Sequence, residues 1–168
     1  MDQVDVHLHE ELTHRIIGAC MAVHAALGPG HAEEVYQKAL ELEFEHQEIA
    51  FDLQKCVPIH YRDVQVGLRF PDFVLEDKVV LEIKALPALT PLHEAQLIGY
   101  FAATEYDVGL LVNFGQTSLQ WKRMFPPKKI LQKRKERLGD SQGKSTDGTD
   151  LIDQDRLLRY ELHSVSIC

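Results

Sequence analysis

Cysteine is scarce in this chain. Cys20, Cys56 and Cys168 are odd in number, widely spaced and include no Cys-x-x-Cys pair. That excludes a disulfide framework and a thiolate zinc site, and it fits a reducing cytoplasmic setting. Long apolar runs are also missing. The longest reach about half of the ~20 residues needed to cross a bilayer, so no membrane partner is expected. The start, Met1-Asp2-Gln3-Val4-Asp5, lacks the basic and apolar regions of a signal peptide. There is no internal repeat, no Gly-rich phosphate loop, no dinucleotide fingerprint and no arguable Ser/His/Asp arrangement. What remains is a 168-residue chain with 45% hydrophobic and 26% charged residues, the make-up of one globular domain with a tail. A chain of this size folds without a metal or disulfide staple, so a metal would serve chemistry rather than stability.

Basic residues are thin over most of the chain and dense in one strip. Residues 1–121 carry a net charge of −12, residues 122–137 carry +7 and the remainder −3, giving −8 in all. The strip holds Lys122, Arg123, Lys128, Lys129, Lys133, Arg134, Lys135 and Arg137 against Glu136 alone. A basic strip on an acidic body points to a polyanion partner, and a solvated tail gives the same pattern.

Leu12, Ile16, Ile17, Cys20, Val23, Ala26 and Leu27 recur at helical spacing, and Gly28-Pro29-Gly30 ends that helix. A second helix is expected from about His31 to Gln47, with Val35, Ala39, Leu42 and Leu40 inward. Residues 49–61 and 64–75 read as strands around an Arg62-Asp63 turn, and Glu76-Asp77-Lys78 turns into a strand over Val79–Lys84. Thr90-Pro91 opens a helix to about Thr104, with Thr as N-cap and Pro in the first turn. Val108–Phe114 is nearly all apolar, as in a strand buried on both faces, and a last strand spans Ser118 to about Arg123. The folded domain is thus about 10–125. Residues 126–168 form a tail that is basic and possible helix over 128–138, then a flexible linker over 139–150, then an apolar fringe.

The chemistry concentrates between Phe70 and Lys84. Strand alternation sets Glu82 and Lys84 on one face, with Leu81 and Ile83 on the other. If Glu76-Asp77-Lys78 is a three-residue loop, Leu75 opposes Val79 and the same register sets Asp72 opposite Glu82. Cross-strand neighbours sit roughly 4.5–5.5 Å apart at Cβ, and two carboxylates that close repel unless a cation lies between them. Mg²⁺ takes one or two carboxylates and fills its other positions with water and substrate phosphate. With a nearby lysine, this is the donor set of a metal-dependent phosphodiesterase. An ordinary surface Glu/Lys pair gives the same tripeptide.

Asp72, nine residues, then Glu82-Ile83-Lys84 resembles the PD-(D/E)xK nuclease motif, with Pro71 supplying the proline. Gly30-His31-Ala32-Glu33-Glu34-Val35-Tyr36 matches the GxxExxY signature of one branch of that superfamily. His93–Tyr100 looks like that branch's helix after the motif, and Gly109–Phe114 like its next strand. The resemblance covers residues 12–125. It implies an α/β fold with a restriction-endonuclease-like core, a mixed central sheet flanked by helices in the order α-α-β-β-β-α-β-β. It implies Asp72 and Glu82 as metal ligands, the Ile83 carbonyl as a third, and Lys84 as the catalytic lysine. Glu33 would be an additional acidic residue, and Gln96 would position substrate or water. Tyr36 and Tyr100 match signature positions, and packing explains both as well.

The implied activity is Mg²⁺-dependent (or Mn²⁺-dependent) hydrolysis of a nucleic acid, with DNA as the expected substrate. A non-catalytic nucleic-acid-binding or protein-interaction module with the same fold is the alternative. His7 and His9 alternate as metal ligands can, although a chain terminus is usually solvated. His31 and His93 could approach phosphate or serve structure. Cys20 reads as a small core residue, and Trp121 as packing before base stacking.

Overall fold

A computed structural model describes residue 5 and residues 7–143, with side chains through 139. The elements are α1 (Glu10–Leu27), α2 (Glu33–His46), β1 (Phe51–Leu53), β2 (Val57–Tyr61), β3 (Val64–Arg69), β4 (Phe73–Leu75), β5 (Val79–Lys84), α3 (Pro91–Ala103), β6 (Val108–Asn113), β7 (Gln120–Met124) and α4 (Lys128–Gly143). The chain divides into two units at Gln132/Lys133, inside α4. The expected linker from 139 is still helix as far as 143, and the rest of the tail lies outside the described residues. No described helix is long and apolar enough to cross a membrane.

Five strands form one mixed sheet in the order β1-β4-β5-β6-β7, parallel only between β5 and β6. The two long strands expected over 49–61 and 64–75 are each broken in two. Their outer halves, β2 and β3, leave the main sheet and pair as a separate hairpin. The break falls at Gln54, whose φ is +48°, on one arm and at Phe70-Pro71 on the other, where proline cannot donate to a ladder. Two tight turns fall where the sequence sets them. Arg62-Asp63 joins β2 to β3 with both residues at positive φ. Glu76-Asp77-Lys78 joins β4 to β5, with Leu75 opposite Val79 and Phe73 opposite Leu81.

Helices cover both faces. On one, α1 and α2 pack Ile16, Cys20, Tyr36, Leu40 and Phe44 against Phe73, Leu81, Ile83, Leu110 and Val112. On the other, Leu97 and Tyr100 of α3 meet Val80, Leu111 and Val57 of the β2–β3 hairpin. The inward face of α2 differs from the expected one. Tyr36, Leu40 and Phe44 are fully buried, whereas Val35 and Leu42 are 42% and 61% exposed. Aromatic packing sets this rotation, because Phe44 meets Phe73 edge-on at 5.3 Å and Tyr36 stacks on Phe114 at 4.6 Å. In α1, Ala26 and Leu27 are likewise exposed, since the helix ends beyond the sheet contact. Cys20 is a free, buried thiol pushed up to about 12 by that burial, which keeps it protonated and inert.

Tyr36 closes the α1–α2 connection. Its hydroxyl donates to the Gly28 carbonyl at 2.7 Å and accepts from the His31 N–H at 3.3 Å. Gly28 and Gly30 sit at φ +67° and +104°, a region where a side chain would be strained. Tyr36→Phe keeps the ring and removes both bonds. It is expected to cost about 1–2 kcal/mol, read as a lower urea midpoint at unchanged m-value.

Candidate active site

Three elements converge at the carboxyl end of β5. The β4–β5 register extends to place Asp72 beside Glu82, and the Asp72 Oδ2 accepts a 2.8 Å hydrogen bond from the Ile83 N–H. That bond orients the Asp72 carboxylate. Glu82 lies on the α3 face of the sheet and is 1% exposed. Its Oε2 accepts from the Lys84 Nζ at 3.0 Å and from the Gln96 Nε2 at 2.9 Å. Gln96 therefore spends a donor on the glutamate. The Tyr100 hydroxyl, one turn further along α3, also faces Glu82 and favours its charged form, yet Oε1 is buried without a well-aligned hydrogen-bond donor.

Glu33, in the first turn of α2, approaches the site from the opposite helical layer. Its Oε1 lies 3.9 Å from Lys84 Nζ. It meets the lysine there, and among the described residues no group of three His, Cys, Asp or Glu side chains is arranged for a metal.

Electrostatics follow from burial. Glu82 is pushed up to about 7, first by desolvation and then by the Asp72 charge, with Lys84 and Tyr100 offsetting only part. Glu33 is raised by desolvation, against Lys84, and further by Asp72. Lys84 is lowered by burial, but Glu82, Glu33 and Asp72 together win and its net shift is upward. The ammonium thus stays protonated. Tyr100 is raised by burial and by Glu82, so its hydroxyl keeps its proton as well.

The donor set suits a divalent cation. Two adjacent carboxylates, one holding a buried oxygen without a partner, favour a hard cation with oxygen ligands, and water and phosphate would fill its remaining positions. Residues that could hold it are Asp72, Glu82 and the Ile83 carbonyl.

The chain beyond Lys84 is locked by a residue that the sequence reading did not single out. Asn113, opposite Lys84 across the parallel ladder, is fully buried. Its Oδ1 accepts from the Leu86 N–H at 2.9 Å and the Gly115 N–H at 3.1 Å, and its Nδ2 donates to the Leu86 carbonyl at 2.8 Å. A Cβ on Gly115 would lie 2.4 Å from Leu86 backbone atoms, so only glycine lets the two segments approach. The sequence signal was an amide at the end of an otherwise apolar strand.

Other candidates fall elsewhere. The His93 Nδ1 accepts from the Thr90 N–H at 3.0 Å and caps α3. The His31 Nε2 bonds the Leu27 carbonyl at 3.2 Å. His7 pairs with Glu10 at 2.7 Å, on the surface. The basic strip is not one uniform phosphate-binding surface. Lys122 pairs with Glu94 at 2.7 Å. Arg123 donates to the Leu8 carbonyl and lies over the Phe125 ring, and Arg134 is 6% exposed. Lys122 keeps an exposed side chain beside Glu94, whereas Arg123 is half-buried and Arg134 is buried. Lys128, Lys129, Lys133, Lys135 and Arg137 are exposed.

The fold is thus a helix-flanked mixed sheet, with Asp72 just before β4, Glu82 within β5 and Lys84 two residues on. The chain belongs to the PD-(D/E)XK nuclease superfamily, whose family profile matches residues 10–124. Members generally use divalent metal ions. Among solved structures, SSO0001 aligns at 16% identity and TM-score 0.46 over 77% of this chain and 66% of its own length. An alkaline exonuclease, LHK-Exo, from Laribacter hongkongensis aligns at 11% and 0.45 over 95% of this chain and 89% of its own. LHK-Exo in complex with dAMP aligns at 9% and 0.43 over 71% and 82%. No curated protein matches the chain.

The raised Glu82 pKa gives a pH prediction. Between about pH 4.5 and 7 the native state holds a proton on Glu82 that the unfolded chain has released, so stability falls as pH rises through that window. Glu33 acts in the same direction. Metal-free protein is expected to melt lower at about pH 8 than at about pH 5, with Glu82→Gln flattening the dependence. Saturating Mg²⁺ should raise the wild-type midpoint at the higher pH by binding the native state, as scanning calorimetry would record.

Proposed function

We propose that this protein is a Mg²⁺-dependent nuclease of the GxxExxY branch that hydrolyses DNA phosphodiester bonds. The observation that carries this is the Asp72–Glu82 pair, with Glu82 buried, one oxygen without a well-aligned donor and the other held by Lys84 and Gln96. The branch assignment draws on Gly30 at positive φ, Tyr36 closing the loop and Glu33 facing Lys84.

Asp72, Glu82 and the Ile83 carbonyl would hold the metal, which when bound would supply positive charge to the phosphoryl oxygens and lower the pKa of a water. Lys84, kept protonated by its acids, offers positive charge where negative charge develops on phosphate. Gln96 and Tyr100 fix the Glu82 carboxylate so that it need not reorganise. Glu33 holds the lysine from α2. A water oxygen bonds to phosphorus as the ester P–O bond breaks, leaving a phosphomonoester and a hydroxyl. Exposed Lys128, Lys129 and Lys133 supply sequence-independent phosphate contacts.

Cleavage of labelled DNA with Mg²⁺ or Mn²⁺ tests the reading, with RNA of the same sequence as comparison. Lys84→Ala is expected to lower kcat by about 10²-fold or more, and Glu82→Gln to abolish turnover, both with binding retained. Replacing Lys128, Lys129 and Lys133 by Gln should do the reverse, lowering the log–log salt slope by roughly 0.7–0.9 per lost contact at unchanged kcat. Wild-type protein that binds either polymer and cleaves neither with any divalent metal would assign a binding module instead.

A further inference from the structure

Beside the carboxylates lies a cavity of about 510 Å³ lined by Leu68, Arg69, Phe70, Leu92, Gln96 and Tyr100. Two of these residues, Gln96 and Tyr100, also face Glu82, so the cavity and the acidic site share a wall. Phe70 is two residues from Asp72 in the chain. The volume is that of a pocket for a small organic molecule rather than for a helix or strand.

Its chemistry is divided in a particular way. Arg69, the last residue of the β2–β3 hairpin, is exposed and has no carboxylate partner among the described residues. Most other cations of the acidic body are paired: Lys38 with Glu41, Lys55 with Asp52 and Asp77, Lys78 and Arg15 with Glu76. The guanidinium reaches α3, donating to the Gln96 carbonyl at a long 3.5 Å. A Cβ on Gly99 would meet Arg69 Nη1 at 2.6 Å, so the guanidinium tip lies against the bare glycine and an added methyl would push it aside. The remaining walls are apolar and solvent-facing, with Leu92 77%, Phe70 49% and Leu68 37% exposed.

We infer that this cavity seats one unpaired nucleotide next to the scissile phosphate, with Arg69 on a backbone phosphate and Phe70, Leu68 and Leu92 against the base. The inference rests on the nuclease reading of the adjoining site and adds a substrate preference to it. An unpaired planar base has an exposed face for apolar and aromatic walls, and such stacking is tolerant of sequence. In a duplex those faces are covered, and reaching the pocket costs unstacking. The guanidinium, with no carboxylate partner among the described residues, supplies the charge that a phosphate here needs. Single strands and frayed ends are therefore preferred over blunt duplex.

The test measures binding, by fluorescence anisotropy with Ca²⁺ replacing Mg²⁺, of a single-stranded DNA and a blunt duplex of the same sequence. Arg69→Ala is expected to weaken single-strand binding about tenfold and lower the salt slope by about 0.7, with duplex binding within about twofold. Gly99→Ala keeps the charge but displaces it. It should weaken single-strand binding similarly while melting no lower than wild type, since alanine is the better helix former. Leu92→Ser should weaken single-strand binding at unchanged salt slope. Equal single-strand affinity in Arg69→Ala and wild type, or equal losses on single strand and duplex, would overturn the inference. Failure of the nuclease reading is distinguishable, because it appears as no cleavage by wild type with Mg²⁺ or Mn²⁺ whatever the binding pattern.

Discussion

A carboxylate that is 1% exposed on a strand otherwise made of Val, Leu and Ile is the constraint around which the rest of the molecule is arranged. Removing a charge from water costs several kcal/mol after relaxation unless partners restore what hydration supplied. Glu82 receives part of that from Lys84 and Gln96, both on the same oxygen. Its second oxygen stays buried without a well-aligned donor, and Asp72 adds a second negative charge beside it. A fold selected for stability alone would not leave such a pair on its central sheet. The imbalance is an excess of negative charge that Lys84 offsets only in part.

The scaffold supplies what this requires, which is precision in backbone position. Asp72 is held opposite Glu82 by a three-residue loop whose register is fixed from Leu75–Val79 onward. Lys84 is the last residue of β5, where the parallel ladder to β6 ends, and the Phe114 N–H donates to its carbonyl at 2.7 Å. Asn113 and Gly115 then fix Leu86 on both its N–H and its carbonyl. Side chains from α2 and α3, on opposite faces of the sheet, can meet at Lys84 and Glu82 because both residues stand at the strand end, where the two layers are no longer separated.

The two turns, the all-apolar β6, the capped start of α3 and the Asp72–Glu82 register were legible because local rules set them: turn length, alternation and N-cap chemistry. The division of 49–61 and 64–75 was not, since both runs are rich in strand formers and only Pro71 marks the interruption. The inward face of α2 is legible at Leu40 and Ala39 but not at Val35 and Leu42, because hydrophobicity ranks those two with Tyr36 and Phe44. Aromatic volume against Phe73 and Phe114 decided between them. Asn113 and Arg69 were passed over for opposite reasons. One has meaning only through the backbone it clamps across the sheet, and the other only through a hairpin that folds back on α3.

Charge also constrains how a polyanion could approach. The first 121 residues carry −12, and the two basic residues that immediately follow, Lys122 and Arg123, are engaged within the fold. A phosphate chain arriving at the acids would meet repulsion over most of this surface, because fields from unpaired charges extend about 8 Å at physiological salt. Most cations of the acidic body stand against carboxylates and present little net field. Lys128, Lys129 and Arg69 are different, since among the described residues no carboxylate pairs with them. Within this body the cations that stand uncompensated by a described carboxylate, and that a phosphate chain could meet, are therefore few.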